Sequence, residues 1–137
     1  MKKLLLVFIY LLLYGCKDRP KIPISNTLEI VLDNHNKYSE YVTLLNKASE
    51  EDSIALLNFF KIDYINDAAG YDHGFMLLQL LKIYGDKKFA NVLQMTTDRD
   101  LNMVSQYFEV GIDSNSDHQN EELKRNYPIS SDILNIR

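Results

Sequence analysis

The chain has 137 residues, one cysteine, no tryptophan and a formal charge of −4, with 46% hydrophobic and 25% charged residues. That length holds one domain rather than two, and a lone cysteine excludes an internal disulfide. The acidic balance argues against nucleic acid and anionic membrane surfaces as partners, since both select basic patches.

The first element is an apolar run over residues 4–14, preceded by Lys2 and Lys3 and followed by Gly15 and Cys16. As a helix the run would rise roughly 16 Å, about half the hydrocarbon thickness of a bilayer, so it is too short to span comfortably. A basic start, a short greasy centre and a small residue at its end form the layout of a secretory signal. Leu13-Tyr14-Gly15-Cys16 resembles the lipobox of bacterial lipoproteins. The resemblance implies a leader over residues 1–15, removed on export, and a lipid on Cys16. An ordinary signal peptide with an incidental cysteine and an uncleaved leader helix are the alternatives. Lipidation would remove a reactive thiol from an oxidising compartment and anchor the chain, since two or three acyl chains hold a protein stably. Cys16-Lys17-Asp18 is also similar to a short signal that sends lipoproteins to the outer membrane surface in some Gram-negative bacteria. The expected location is therefore the cell envelope, at the outer membrane, with either the periplasmic or the exterior face open.

Without residues 1–15 the chain keeps 122 residues, 13 basic and 19 acidic side chains and a formal charge of −6. Pro20 and Pro23 oppose helix and predict an extended tether over residues 16–25. A helical domain is expected over residues 26–127. Residues 26–46 carry apolar positions at helical spacing, with a break at Asp33-Asn34-His35-Asn36. Ser49 reads as the cap of a further helix over residues 49–68, with acids in its first turn and Ile54, Leu57, Phe60 and Tyr64 inward.

Gly70, Tyr71, Asp72, His73 and Gly74 read as a turn, with Asp72 capping a helix over residues 75–84. In that helix only Gln79 and Lys82 are polar, so it should lie at the centre of the fold. Gly85 should end it and Asp86 cap the next, with Phe89, Val92 and Leu93 inward. Thr97 caps a helix through Ile112, residues 113–117 form a polar loop, and a short helix precedes Pro128. Residues 128–137 read as a flexible tail. No strand alternation or fixed-period repeat is present, so the expected fold is all-α, a compact orthogonal bundle of five or six helices.

Signals for chemistry are sparse. Asp113, Asn115 and Asp117 have the alternation of a calcium loop, but His118 and Lys124 stand where glycine and glutamate are required. His118 with Glu121 and Glu122 is a thin metal set, and Asp63 and Asp67 read as a solvated pair of like charges. No catalytic residue, metal site or cofactor is expected, and the protein reads as a non-enzyme. The candidate binding turn is Gly70, Tyr71, Asp72, His73 and Gly74: glycines admit a close backbone or ligand, and His73 should point inward. Seven tyrosines beyond the leader suit either a protein interface or a polar-rimmed core. Size, anchor, charge and helicity together are similar in form to the immunity lipoproteins that bacteria keep in the envelope. That likeness implies a protein partner, with a cationic surface as the expectation, covered by acidic and tyrosine side chains near the Tyr71–Gly74 turn; an accessory subunit of an envelope assembly or uptake complex is the alternative, and a small cell-wall or glycan hydrolase a further one.

Overall fold

Ser25 starts the first helix, its side chain accepting from the Leu28 amide at 3.0 Å, as N-cap serines do. The computed structural model describes residues 19–112 and 117–136, apart from the side chains of residues 117 and 118. The expected leader, Cys16 and most of the polar loop at 113–117 lie outside the described residues. Among those described, the chain forms α1 Asn26–Asn34, α2 Tyr38–Ser49, α3 Ser53–Phe59, α4 Ala68–Leu93, α5 Asp98–Gly111, α6 Asp117–Asn126 and α7 Pro128–Ile133. The fold is all-α, as the periodicity predicts, with one or two helices more than expected.

The central helix is α4, which packs against α1, α2, α3, α5 and α7. Its Met76, Leu77, Leu80, Leu81, Tyr84 and Phe89 are buried together with Leu28, Leu45, Leu56, Phe59 and Phe108 from the surrounding elements. Burial of this kind supplies roughly 1.5–3 kcal/mol per large side chain before the entropy of ordering is subtracted.

Several boundaries differ from the sequence expectation. Ser49 is the last residue of α2, its hydroxyl donating to the Asn46 carbonyl at 2.7 Å, so it does not cap α3. Asp52 does, accepting from Ile54 and Ala55 amides at 3.0 Å each. The expected helix over residues 49–68 stops at Phe59. Ile62 and Ile65 are then buried from a non-helical segment, and the Tyr107 hydroxyl donates to the Ile65 carbonyl at 2.8 Å. α4 begins at Ala68, with Asp67 before it at φ 52° and ψ −138°. Gly70 to Gly74 therefore lie inside a helix, and Asp72 is no N-cap.

Gly85 divides α4 as expected, with φ 69° and ψ 166° inside it. Asp86, however, caps a different helix. Its carboxylate accepts from the Ile129 amide at 3.0 Å and the Ser130 amide at 2.8 Å, while the Ser130 hydroxyl donates to the Asp86 carbonyl at 3.1 Å. These amides open α7, where an acid is favoured by both hydrogen bonding and the helix dipole. The stretch expected to be a flexible tail is thus a docked helix, with Ser130, Ser131 and Leu134 buried. Asp86→Ala should lower stability by about 0.5–2 kcal/mol, the usual cost of a lost cap. Urea midpoints would measure the loss, and faster amide exchange should concentrate in α7. Gly85→Ala meets no atom within 4 Å, so its expected cost of about 1–3 kcal/mol is backbone strain alone.

The approach to α1 is strapped down rather than loose. The Asn46 side chain accepts from the Lys21 amide at 2.7 Å and donates to the Arg19 carbonyl at 3.0 Å. Lys21 also pairs with Glu50, and Ile22 and Ile24 pack against the core.

Candidate functional site

The five residues of the expected binding turn separate into distinct roles once they are wound into α4. His73 is inward, as expected, and 1% exposed. Three rings surround it: Tyr107 edge-on with centroids 4.5 Å apart, Phe59 at 5.0 Å and Tyr41 at 5.6 Å. Nδ1 shares a hydrogen bond with the Tyr41 hydroxyl at 2.9 Å. Burial disfavours the imidazolium and lowers the His73 pKa to about 3, and burial likewise pushes the Tyr41 phenol well above its ordinary value. His73 is therefore a neutral core side chain at ordinary pH, closed off from any substrate that would need its proton.

The two glycines are also used internally. A Cβ on Gly74 would fall 2.0 Å from the Tyr107 carbonyl oxygen and 2.9 Å from the Gly111 Cα, so α4 and α5 cross there backbone against backbone. The close approach that glycine permits is made, by a neighbouring helix. Gly70 is buried with Tyr107 and the Ile65 carbonyl near it, at ordinary contact distances for an added Cβ. Asp72 accepts from the Ser25 hydroxyl, tying α4 to the start of α1.

Tyr71 alone of the five points outward, at 56% exposure, and Phe75 one turn later is 47% exposed. Phe75 opens onto a groove of about 360 Å³ between α4, the end of α5 and α6. Leu78, Leu123 and Tyr127 supply its apolar lining, with Lys82, Gln119, Glu122 and Asn126 beside them. Phe75 is the α4 aromatic that enters this groove, while Tyr71 stands exposed one turn before it on the same helix. The sequence reading reached Tyr71 but not Phe75 or the groove. Phe75 begins a helix that is apolar nearly all round, so nothing in the sequence marks it as exposed, and the groove depends on how α6 returns to α4.

The remaining tyrosines divide between core and boundary. Tyr41 and Tyr84 are buried; Tyr38, Tyr64, Tyr107 and Tyr127 are half-buried. A second, wider cleft of about 620 Å³ runs past Lys37, Glu40, Asn58, Lys61, Asp63 and Tyr64. Its charges already have partners: Lys37 pairs with Glu40 at 2.6 Å, Lys61 donates to Asn58 at 3.2 Å, and Asp63 takes Arg99 at 3.2 Å. Asp63 and Asp67 form no working pair, since Arg99 holds the first while the second stands at the left-handed residue before α4. Among the described residues no three His, Cys, Asp or Glu side chains gather where they could hold a metal ion. Glu121 and Glu122 are exposed on α6; the His118 side chain and residues 113–116 lie outside what is described.

No protein family matches the chain, and no solved structure does. The chain is similar to a protein of Encephalitozoon cuniculi (strain GB-M1) named "Probable serine/threonine-protein phosphatase", at 28% identity over 127 residues. That match takes in 90% of this chain and 24% of the other protein, so the chain spans about a quarter of its relative's length.

Proposed function

We propose that this chain is a membrane-anchored protein-binding module, held in the bacterial envelope by a lipid on Cys16. The observation that carries the binding role is the outward pair Tyr71 and Phe75, one turn apart on α4, with Phe75 lining the groove beside α6. Aromatic side chains give large contact area at low entropy cost, which is why they anchor interfaces. An acidic chain suits a cationic partner, and a toxin acting in the envelope fits that description, making the protein an immunity lipoprotein. His73 supports the non-catalytic reading, because the histidine of the candidate turn is sealed among aromatic rings. The phosphatase name belongs to a protein of which the similarity takes in a quarter, and it brings no activity with it.

The test is protection. Cells expressing the full chain should survive a toxin encoded beside its gene, and Tyr71→Ala with Phe75→Ala should abolish survival while leaving the thermal midpoint nearly unchanged. Loss of protection is the expected result because such anchors each contribute about 2 kcal/mol or more to binding. Undiminished protection by the double variant would move the interface elsewhere; no protection by the unaltered chain would end the immunity reading.

A further inference from the structure

We infer that the domain is seated directly on the bilayer, with the α2–α3 junction against the lipid headgroups and the Tyr71–Phe75 face turned away. The inference rests on the proposed lipid at Cys16. Arg19 and Lys21 are held at the end of α2, where the Asn46 side chain bonds the backbone of both. Ile22 and Ile24 are packed on the core, and Ser25 is fixed at the head of α1 by its cap bond and by Asp72. The chain between lipid and domain is therefore residues 17 and 18. Three residue steps reach at most about 10 Å even when fully extended, less than the tumbling of a domain this size requires.

The leash also selects which end faces the membrane. Tyr41 in α2 touches His73, whereas Asn46 and Glu50 lie five and nine positions further along. At 1.5 Å per residue, Glu50 is about 13 Å along the helix axis from the His73 level. The strap that leads to Cys16 thus meets α2 at Asn46, about 7.5 Å along the axis past the His73 level, and at Glu50 beyond it. The surface at the anchored end suits an interface despite its acids. Glu50 pairs with Lys21, Glu51 pairs with Lys88, and Asp52 is engaged by the first amides of α3. Ile54 stands just past them, 72% exposed, the most exposed large apolar side chain described. An apolar residue amid locally neutralised charge is at home at the headgroup boundary.

The experiment uses the full, lipidated chain in vesicles that carry a spin-labelled headgroup lipid, with a fluorophore on Lys47→Cys or on Tyr71→Cys. The label at 47 should lose most of its emission and the label at 71 little. Inserting a flexible segment of about ten Gly and Ser residues between Asp18 and Arg19 should erase the difference. Equal quenching at the two positions, or a difference that survives the insertion, would overturn the seated orientation. Mass spectrometry of the same samples separates the two readings: acyl mass on Cys16 with equal quenching leaves the anchor standing and removes only the orientation. Absence of that mass removes both.

Discussion

Alanine at Gly74 is expected to cost more than about 3 kcal/mol, a large share of the stability of a domain this size. The added methyl would sit 2.0 Å from the Tyr107 carbonyl oxygen, and the reciprocal methyl on Gly111 would sit 2.6 Å from the Gly74 carbonyl carbon. Both obstacles are backbone, so no side chain can swing aside. The helices would have to separate, and separation opens the core where Val104 and Phe108 of α5 are buried beside α4. A fall in thermal midpoint of about 10 °C or more corresponds to that cost. Gly70→Ala supplies the contrast: its nearest neighbours to an added Cβ are 3.8 Å and 3.9 Å away, and alanine is the better helix former. Its midpoint should stay level or rise slightly. Similar losses for both variants would mean that the crossing is not as tight as described.

Acidification should destabilise the protein well before its carboxylates titrate, through His73. The folded pKa of about 3 lies below the ordinary 6.5, so the unfolded chain binds more protons throughout the interval between them. Stability from the neutral imidazole is fully present above pH 6.5 and is lost as pH falls toward 3. The slope is up to about 1.4 kcal/mol per pH unit. The groups facing this histidine are Tyr41 of α2, Phe59 of α3 and Tyr107 of α5, and none is an anion that would stabilise an imidazolium. Urea midpoints between pH 7 and 5 would measure the slope, and ring-nitrogen NMR shifts should show a neutral imidazole throughout. His73→Leu should flatten the slope while costing stability at pH 7, because the Tyr41 hydroxyl loses its partner. Adding Tyr41→Phe should recover part of that cost, since removing both members of a buried pair is gentler than removing one. A slope that persists in His73→Leu would assign the acid sensitivity to another group.

The helical class and the central helix were legible because their signals are local. Buried positions at helical spacing announced α1, α2 and α5, and Thr97 capped where a threonine before acids should. Legibility failed where termination used no marker residue. Asn36, Glu51 and Asn135 all adopt left-handed backbone just past a helix, and each is followed by an amide that bonds back to Leu32, Lys47 or Ser131. That closing turn usually carries glycine; here the glycines are spent at a helix crossing and a break instead. Gly70 and Gly74 consequently looked like a turn when they were helix. Asp86 looked like a local cap when its carboxylate was committed to α7. Of the candidate site, Tyr71 and the inward His73 could be read from the pattern. The groove could not, since Leu78 and Leu123 meet only through the return of α6 and no local signal encodes that return.

The cap that Asp86 places on α7 joins residues 43 and 44 positions apart. Ser25 with Asp72 spans 47 positions, and Tyr107 with Ile65 spans 42. Helical proteins ordinarily fold fast because their contacts are short in sequence. In this chain the closing links must wait for distant partners, and the last of them needs the final helix to have been synthesised. Loop closure over such separations costs entropy before any contact repays it. A growing chain therefore lacks the docking of α7 until residues 128–133 have left the ribosome, and the domain stays incompletely packed up to that point.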